Sequence, residues 1–115
     1  MHGWGGNKLS FKCISDRLDG ESVLLDFPGF GDEPPPQTAF GVEDYADWLF
    51  KKLQSLGVKG KVSLVGHSFG GRVAIFFSSK YSNLVQKLVL VDSAGIRPKL
   101  KINKSIKIIW FFVTL

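Results

Sequence analysis

Short apolar runs alternate regularly with longer amphipathic segments along this sequence. Three apolar runs, Ser22–Phe27, Lys61–His67 and Lys87–Asp92, each follow a segment with apolar residues at helical spacing. Apolar runs of this length are typical of strands buried on both faces of a parallel sheet. The alternation therefore predicts an α/β domain in which helices cover a parallel sheet on both faces.

The helical segments are predicted at Lys8–Leu18, from Val42 to Leu56, and from Val73 to Tyr81. Cys13 lies within the apolar pattern of the first helix, which is formed with Leu9, Ile14 and Leu18. We expect Cys13 to be a small buried residue and not a nucleophile, because no local motif surrounds it. A single cysteine excludes an internal disulfide and fits a reducing, cytoplasmic compartment.

The length and composition of the chain limit the kind of protein that it can form. A chain of 115 residues, 44% of them hydrophobic, is expected to form one domain with a modest core. Much of the net charge of +5 comes from a basic cluster near the C-terminus, formed by Arg97, Lys99, Lys101, Lys104 and Lys107. No nucleic-acid module accompanies this cluster, so we interpret it as a solvated face and expect no nucleic-acid partner. The N-terminus lacks the pattern of a signal peptide, and the apolar stretch 106–115 is about half the length that a membrane span needs.

Glycine-rich loops follow the predicted strands. In parallel sheets, functional groups gather beyond the carboxyl ends of the strands, which here places Pro28–Gly31, Gly66–Gly70 and Asp92–Gly95 at one edge. The segment His2–Gly6 joins them if a strand ends just before it. Asp26 ends the first strand and is expected to organise the following turn by accepting hydrogen bonds from backbone N–H groups.

The loop Gly66–Gly70, "GHSFG", fits the G-x-S-x-G pattern between a predicted strand and a predicted helix. A sharp turn there holds Ser68 in a strained backbone conformation, and side chains two residues to either side would collide. The following helix N-terminus favours negative charge developing on an attacked carbonyl group. The alternative is a plain glycine-rich connection between strand and helix.

Other ligand motifs are not found in the sequence. No glycine loop leads into G-K-[ST], and Pro34 stands where a dinucleotide fingerprint needs its last glycine or alanine. The two histidines and one cysteine lack metal-site spacing. We therefore expect neither a cofactor nor a metal.

Four stretches, in order, resemble the α/β-hydrolase fold family and in particular its esterase-like members. They are "HGWGG" (2–6), "DFPGFGDEPPP" (26–36), "GHSFGG" (66–71) and "LVLVDSAGIRP" (88–98). The second stretch departs from the family pattern, since Asp32 and Glu33 stand where a small polar residue is more usual. The resemblance implies a partial α/β-hydrolase fold over 1–98 that lacks the first and last strands, with 99–115 as a truncated start of the lid or cap. It also implies an empty strand slot between Ser22–Phe27 and Lys61–His67, and an unpaired apolar edge beyond Lys87–Asp92.

The resemblance also implies residue roles. Ser68 is the nucleophile, and the backbone N–H groups of Trp4 and Phe69 form the oxyanion hole. The other motif residues are His2, Gly3, Gly66, His67 and Gly70. An alternative for the first loop is that it packs Trp4 into a core, which is compatible with an oxyanion role for its amide. Asp92 is a candidate acid, although more family members carry the acid one strand later, and its alternative role is to cap the following loop.

The family order is serine, acid, histidine, and no histidine follows Ser68. His67 is expected to point away from the hydroxyl and pack beneath the turn, and His2 does not serve as the base in the family. The sequence thus predicts a serine hydrolase acting on a carboxylic ester or a carbon–carbon bond of a small acyl substrate, in a fragment without the triad histidine and acid. Cofactor-free haloperoxidase-like members share this triad, whereas epoxide hydrolases and haloalkane dehalogenases use aspartate at the turn. The alternative is a non-catalytic fragment that binds a ligand or partner.

Overall fold

The computed structural model describes residues 1–93 and the backbone of 107–111. The helices are α1 (Lys12–Ser15), α2 (Val42–Ser55) and α3 (Phe69–Lys80), and the strands are β1 (Val62–His67), β2 (Val85–Val91) and β3 (Lys107–Phe111). A 3-10 turn at Lys8–Phe11 leads into α1, and another at Ser82–Leu84 leads into β2. The predicted strands at 61–67 and 87–92 and the predicted second and third helices are therefore confirmed.

The strands form a 3-stranded parallel sheet in the order β1-β2-β3. Gly66 of β1 lies beside Leu90 of β2, and Leu90 in turn lies beside Trp110 of β3. Because all three strands run in the same direction, their carboxyl ends share one edge. This edge carries Ser68 and Asp92, the residues that directly follow β1 and β2.

One face of the sheet is buried under α3, which packs against β1 and β2 while α2 packs on α3. The buried core comprises Leu64, Leu88 and Leu90 from the strands, Val73, Ala74 and Phe77 from α3, and Tyr45, Ala46 and Leu49 from α2. On the opposite face, Val65, Val89 and Val91 are only half-buried. The predicted parallel sheet flanked by helices is confirmed, and within the described residues its second face is less completely buried than the first.

The predicted strand Ser22–Phe27 does not form a strand. Its backbone has no ladder partner within residues 1–93, and Val23 is 46% exposed. An extended segment becomes a strand only by pairing. Next to the predicted empty slot, Met1 bonds to Val65 of β1 and the His2 ring bonds to the Phe27 N–H. Phe27, at the end of the segment, is nevertheless buried in the core.

The predicted first helix is shorter than Lys8–Leu18 and turns its apolar side to solvent. Leu9 and Leu18 are more than half exposed, Ile14 is 40% exposed, and Cys13 is exposed. The prediction that Cys13 is buried is wrong. The reason is that only Phe11 of this segment reaches the interior, so periodic spacing here identifies a helical turn but not a face that packs.

The edge of β2 that the sequence predicted to be unpaired is paired with β3. The lid prediction for 99–115 lies mostly outside the described residues, and the five described residues, 107–111, are strand. The loop after Ser93 also lies outside them, as do four residues of the basic cluster, Arg97, Lys99, Lys101 and Lys104.

Candidate active site

The serine turn has the strained geometry that the sequence predicts. Ser68 has φ +50° and ψ −112°, a conformation that residues with a side chain rarely adopt. Its N–H donates to the carbonyl oxygen of Val91 at 3.1 Å, and its own carbonyl oxygen accepts from Gly71 and Arg72 in the first turn of α3. The side chain is half-buried. The bend therefore lifts one hydroxyl to the carboxyl edge of the sheet at a helix N-terminus.

The glycines around Ser68 leave no room for side chains. A Cβ atom at Gly66 would lie 2.5 Å from the carbonyl oxygen of Gly70, and one at Gly70 would lie 2.5 Å from that of Met1. This confirms the predicted collision. The motif pattern does not include Gly71, yet a Cβ atom there would overlap the Ser93 side chain. The doubled glycine in "GHSFGG" was the available signal.

The "HGWGG" loop lies directly against the serine turn. A Cβ atom at Gly3 would be 2.9 Å from His67 Nδ1 and 3.3 Å from Ser68 Cβ. The loop is closed by a hydrogen bond from Gly6 N–H to the Gly3 carbonyl oxygen at 3.0 Å. Neither the Trp4 N–H nor the Phe69 N–H donates to an acceptor within residues 1–93. The two amides expected to form the oxyanion hole are thus on adjoining segments and free to donate.

The Trp4 side chain is not packed into a core, because it is 67% exposed. Its ring makes edge-to-face contacts with Phe30 at 4.9 Å and Phe69 at 5.1 Å between centroids. Phe30 was not singled out in the sequence, although the aromatic residue within "PGFG" was an available signal. Together these three rings form an apolar surface beside Ser68.

His2 is buried and both of its ring nitrogens are engaged. Nε2 accepts from the Phe27 N–H at 3.0 Å, and Nδ1 lies 2.8 Å from the Gly3 carbonyl oxygen. Because Nε2 is an acceptor, the proton is on Nδ1, which donates to Gly3. Gly3 C=O and Trp4 N–H belong to the same peptide plane, so this bond also fixes the direction of the Trp4 amide. His2 therefore orients the loop and has no nitrogen free to accept a proton from Ser68.

We expect His2→Phe to lower the free energy of unfolding by about 1–3 kcal/mol, because the buried Phe27 N–H loses its acceptor. His2→Gln is expected to lose less, since its amide oxygen can take the position of Nε2. Urea unfolding followed by tryptophan fluorescence measures both variants. A His2→Phe protein as stable as the parent chain would contradict this role.

His67 contacts Gly3 and lines a cleft of about 370 Å³ between the loop and α1, together with Trp4, Phe11, Ile14 and Val91. Ser68 is not among the residues that line this cleft. The ring of His67 thus faces this cleft, and its position beneath the turn stays a prediction. Within residues 1–93, no imidazole is hydrogen-bonded to Ser68.

Asp26 organises the loop after the first extended segment, as predicted. Its carboxylate accepts from the Lys8 N–H at 2.6 Å and from the Asp32 N–H at 3.0 Å, and Lys8 Nζ bridges to Asp32 at 2.6 Å. Burial alone would raise the pKa of Asp26, but the two backbone donors and the Lys8 charge outweigh it and lower that pKa. A Cβ atom at Gly31 would overlap this carboxylate. The network ties the 3-10 turn at Lys8–Phe11 to the segment around the "PGFG" turn.

Because the pKa of Asp26 is lower in the folded than in the unfolded chain, its stabilising effect is present above the unfolded pKa of about 3.9 and is lost as the pH falls through the folded value. We expect Asp26→Asn to lower the free energy of unfolding at pH 7, and we expect this difference from the parent to shrink as the pH falls below the unfolded pKa. Urea unfolding at pH 3, 5 and 7 tests this, and a pH-independent difference would contradict it.

Asp92 lies at the same edge as Ser68, on the neighbouring strand, and is exposed with φ +43°. Its carboxylate makes no hydrogen bond within residues 1–93. Beside it, Ser93 Oγ is buried and has no hydrogen-bond partner among the described residues. The position of Asp92 is therefore compatible with its role as the acid. Its alternative role, capping the following loop, involves residues outside the described part of the chain.

The described residues contain no group of three or more His, Cys, Asp or Glu side chains that could hold a metal ion. No helix in the same part of the chain is both long and apolar enough to cross a bilayer.

Comparison with known proteins accords with this geometry. Residues 1–112 match the family model of the alpha/beta hydrolase fold. Over 97 residues the chain is 35% identical to Lipase 3 of Moraxella sp. (strain TA144), covering 83% of this chain and 31% of the lipase. It is 32% identical to 2-(acetamidomethylene)succinate hydrolase of Mesorhizobium japonicum. That alignment covers 80% of this chain and 34% of the hydrolase.

Among solved structures, a thermophilic esterase from Thermogutta terrifontis superposes with a TM-score of 0.77 at 29% identity, covering 85% of this chain and 38% of the esterase. The chain thus spans about a third of the length of the curated relatives it matches. The parallel sheet and the strained serine turn agree with the match to the family model. The chain therefore belongs to the α/β-hydrolase fold family.

Proposed function

We propose that this chain carries the nucleophile and oxyanion part of a serine hydrolase site that cleaves a carboxylic ester or a carbon–carbon bond of a small acyl substrate. The observation that carries the proposal is the backbone of Ser68, at φ +50° and ψ −112°, between glycines that have no room for a side chain. The free N–H groups of Trp4 and Phe69, and the names of the lipase and esterase relatives, support it.

In the proposed reaction, Ser68 Oγ bonds to the substrate carbonyl carbon as its proton passes to a histidine. The oxyanion accepts hydrogen bonds from the Trp4 and Phe69 amides, each worth about 3–4 kcal/mol of transition-state stabilisation. Collapse breaks the bond to the leaving group, which takes the proton, and water then releases the acyl group from Ser68. The exposed ring of Trp4, with Phe30 and Phe69, supports an apolar acyl group as the part bound beside the nucleophile.

The histidine of this reaction is proposed to come from outside the 115 residues, since none follows Ser68 and both nitrogens of His2 are engaged. Asp92 is retained as a candidate acid. We further propose a cytoplasmic location, with 1–98 as the central part of the hydrolase domain and 99–115 as the start of its lid.

The isolated chain is expected to show no ester hydrolysis above background, because Ser68 has no base to remove its proton. Release of nitrophenol from p-nitrophenyl acetate, compared with the Ser68→Ala chain, measures this. Turnover by the parent chain that depends on Ser68 would show that a base is present after all.

A hybrid enzyme tests the function itself. Residues 1–93 replace the aligned segment of the Moraxella lipase, which supplies the remaining two thirds of the fold. We expect the hybrid to hydrolyse p-nitrophenyl esters and to be labelled by a fluorophosphonate. A folded hybrid that is not labelled would favour the second candidate, which is a non-catalytic chain that binds a ligand or partner. For the isolated chain, the lack of a histidine after Ser68 already favours this second candidate.

A further inference from the structure

Aromatic rings from three separate segments meet beside the serine turn, and we call them the aromatic wall. Trp4 belongs to the "HGWGG" loop, Phe30 to the "PGFG" turn, and Phe69 is the first residue of α3. The Trp4 ring contacts both of the others at steep angles, 74° with Phe30 and 84° with Phe69. The backbone amides of Trp4 and Phe69 are the proposed oxyanion donors. The wall therefore borders the place where the acyl group of a substrate would be held.

Two members of the aromatic wall are fixed to the core of the protein. The Phe69 ring contacts Phe27 at 5.6 Å and Tyr45 at 5.1 Å between centroids, and both of these partners are buried. Phe30 lies in a tight turn, because its N–H donates to the Phe27 carbonyl oxygen at 2.9 Å and its own carbonyl oxygen accepts from Glu33 at 3.1 Å. The wall is thus a preorganised surface, and little of its freedom is lost when a ligand binds.

The third member, Trp4, supplies free aromatic surface. Its side chain is 67% exposed even though two rings already contact it. An aromatic ligand on this surface gains edge-to-face or offset-stacked contacts in addition to burial of apolar area. A saturated ring of the same size gains the apolar area alone, and an open alkyl chain also loses rotational freedom.

We propose that the aromatic wall binds an acyl group that carries an aromatic ring. The substrate is then an aromatic acyl compound, in which the bond cleaved is the ester or carbon–carbon bond at the acyl carbon. This inference rests on the proposed function and narrows its substrate class from a small acyl group to an aromatic one.

The first test measures binding to the ¹⁵N-labelled 115-residue chain and does not require catalysis. The probe is phenylacetate, and its matched control is cyclohexylacetate, which has the same carboxylate and a saturated six-carbon ring. Acetate accounts for effects of the carboxylate alone. We expect saturable shifts at the Trp4 indole N–H and at the Trp4 and Phe69 amides, with phenylacetate at least about threefold tighter than cyclohexylacetate.

Variants assign this preference to the wall. Phe30→Leu keeps an apolar side chain but removes the ring, and we expect it to bring the two affinities to within about twofold of each other. Trp4→Leu, at a more exposed position, is expected to do the same and provides a second variant if Phe30→Leu does not fold. The matched control is Phe76→Leu, an exposed aromatic residue of α3 outside the wall, which is expected to retain the preference of the parent chain.

Absence of saturable binding, equal or tighter binding of cyclohexylacetate, or shifts confined to residues away from the wall would overturn the inference. So would a phenylacetate preference that survives both Phe30→Leu and Trp4→Leu.

The hybrid enzyme separates this inference from the proposed function. We expect kcat/KM for p-nitrophenyl phenylacetate to exceed that for p-nitrophenyl cyclohexylacetate by about threefold or more, and Phe30→Leu to lower this ratio. A hybrid that is labelled by the fluorophosphonate but does not prefer the phenylacetyl ester would overturn the inference and leave the proposed function standing. A folded hybrid that is not labelled would overturn the proposed function, and the inference with it.

Discussion

In the hybrid enzyme, Ser68→Ala is expected to reduce kcat for p-nitrophenyl esters by at least about 10⁴-fold and to abolish fluorophosphonate labelling. Removing a nucleophilic serine disables the whole catalytic unit, so the residual rate is what substrate binding and the oxyanion donors provide. Alanine retains the Cβ atom and hence the strained backbone of Ser68, so the fold is expected to be unchanged. Steady-state kinetics and intact-mass labelling measure the two effects.

The matched control is Ser79→Ala, an exposed serine of α3 that is remote from the turn in sequence. We expect it to retain kcat and labelling. Labelling that persists in the Ser68→Ala hybrid would place the reactive group elsewhere and contradict the assignment of the nucleophile.

The second large effect is expected at Gly66. Alanine there places a Cβ atom 2.5 Å from the Gly70 carbonyl oxygen and 2.7 Å from the Gly71 nitrogen. Both are backbone atoms, so no side-chain rotation can relieve the overlap. Either β1 separates from α3 or the serine turn opens, and we expect a loss of about 3 kcal/mol or more in the free energy of unfolding. Urea unfolding of the 115-residue chain measures this loss.

Gly60→Ala separates crowding from backbone strain. Gly60 has φ +79°, but a Cβ atom added there would have no other atom of the described chain within 4 Å, so only the left-handed backbone opposes the substitution. We expect a loss of about 1 kcal/mol there. Equal losses at Gly60 and Gly66 would mean that close packing is not what requires glycine at the serine turn.

Much of the fold was predictable because its signals are local. In α2, acidic Glu43 and Asp44 open the helix, Asp44 accepts from the Gly41 N–H at 2.8 Å, and Gly57 follows its end with φ +69°. The serine turn was predictable for the same reason, since its glycines are required by atoms only a few residues away.

What could not be predicted depends on distant partners. Ser22–Phe27 has the composition of a buried strand, but an apolar run does not reveal whether a neighbouring strand is present. The same limit applies to Cys13, whose helical spacing is real but whose face has little to pack against. It also applies to the edge of β2, which residues 107–111 cover from far along the chain.

The candidate site divides in the same way. Ser68 and the two free amides are positioned by residues close in sequence or by the short "HGWGG" loop. The hydrogen bonds of His2 and the edge-to-face contacts of Trp4 depend on Phe27 and Phe30, which only the folded chain brings near. The role of Asp92 and the proposed histidine depend on residues outside the described part of the chain.

The bend at Ser68 is imposed by its neighbours, because side chains at Gly66 and Gly70 would meet backbone atoms, whereas residue 68 itself is half-buried at the carboxyl edge of the sheet. The identity of residue 68, the proposed nucleophile, and the geometry of the turn are therefore separable in evolution. A single codon change at 68 can exchange a hydroxyl for a thiol or a carboxylate while leaving the turn intact. Changes at 66 or 70 have no such freedom, so lineages built on this turn are expected to diversify their chemistry before they alter its glycines.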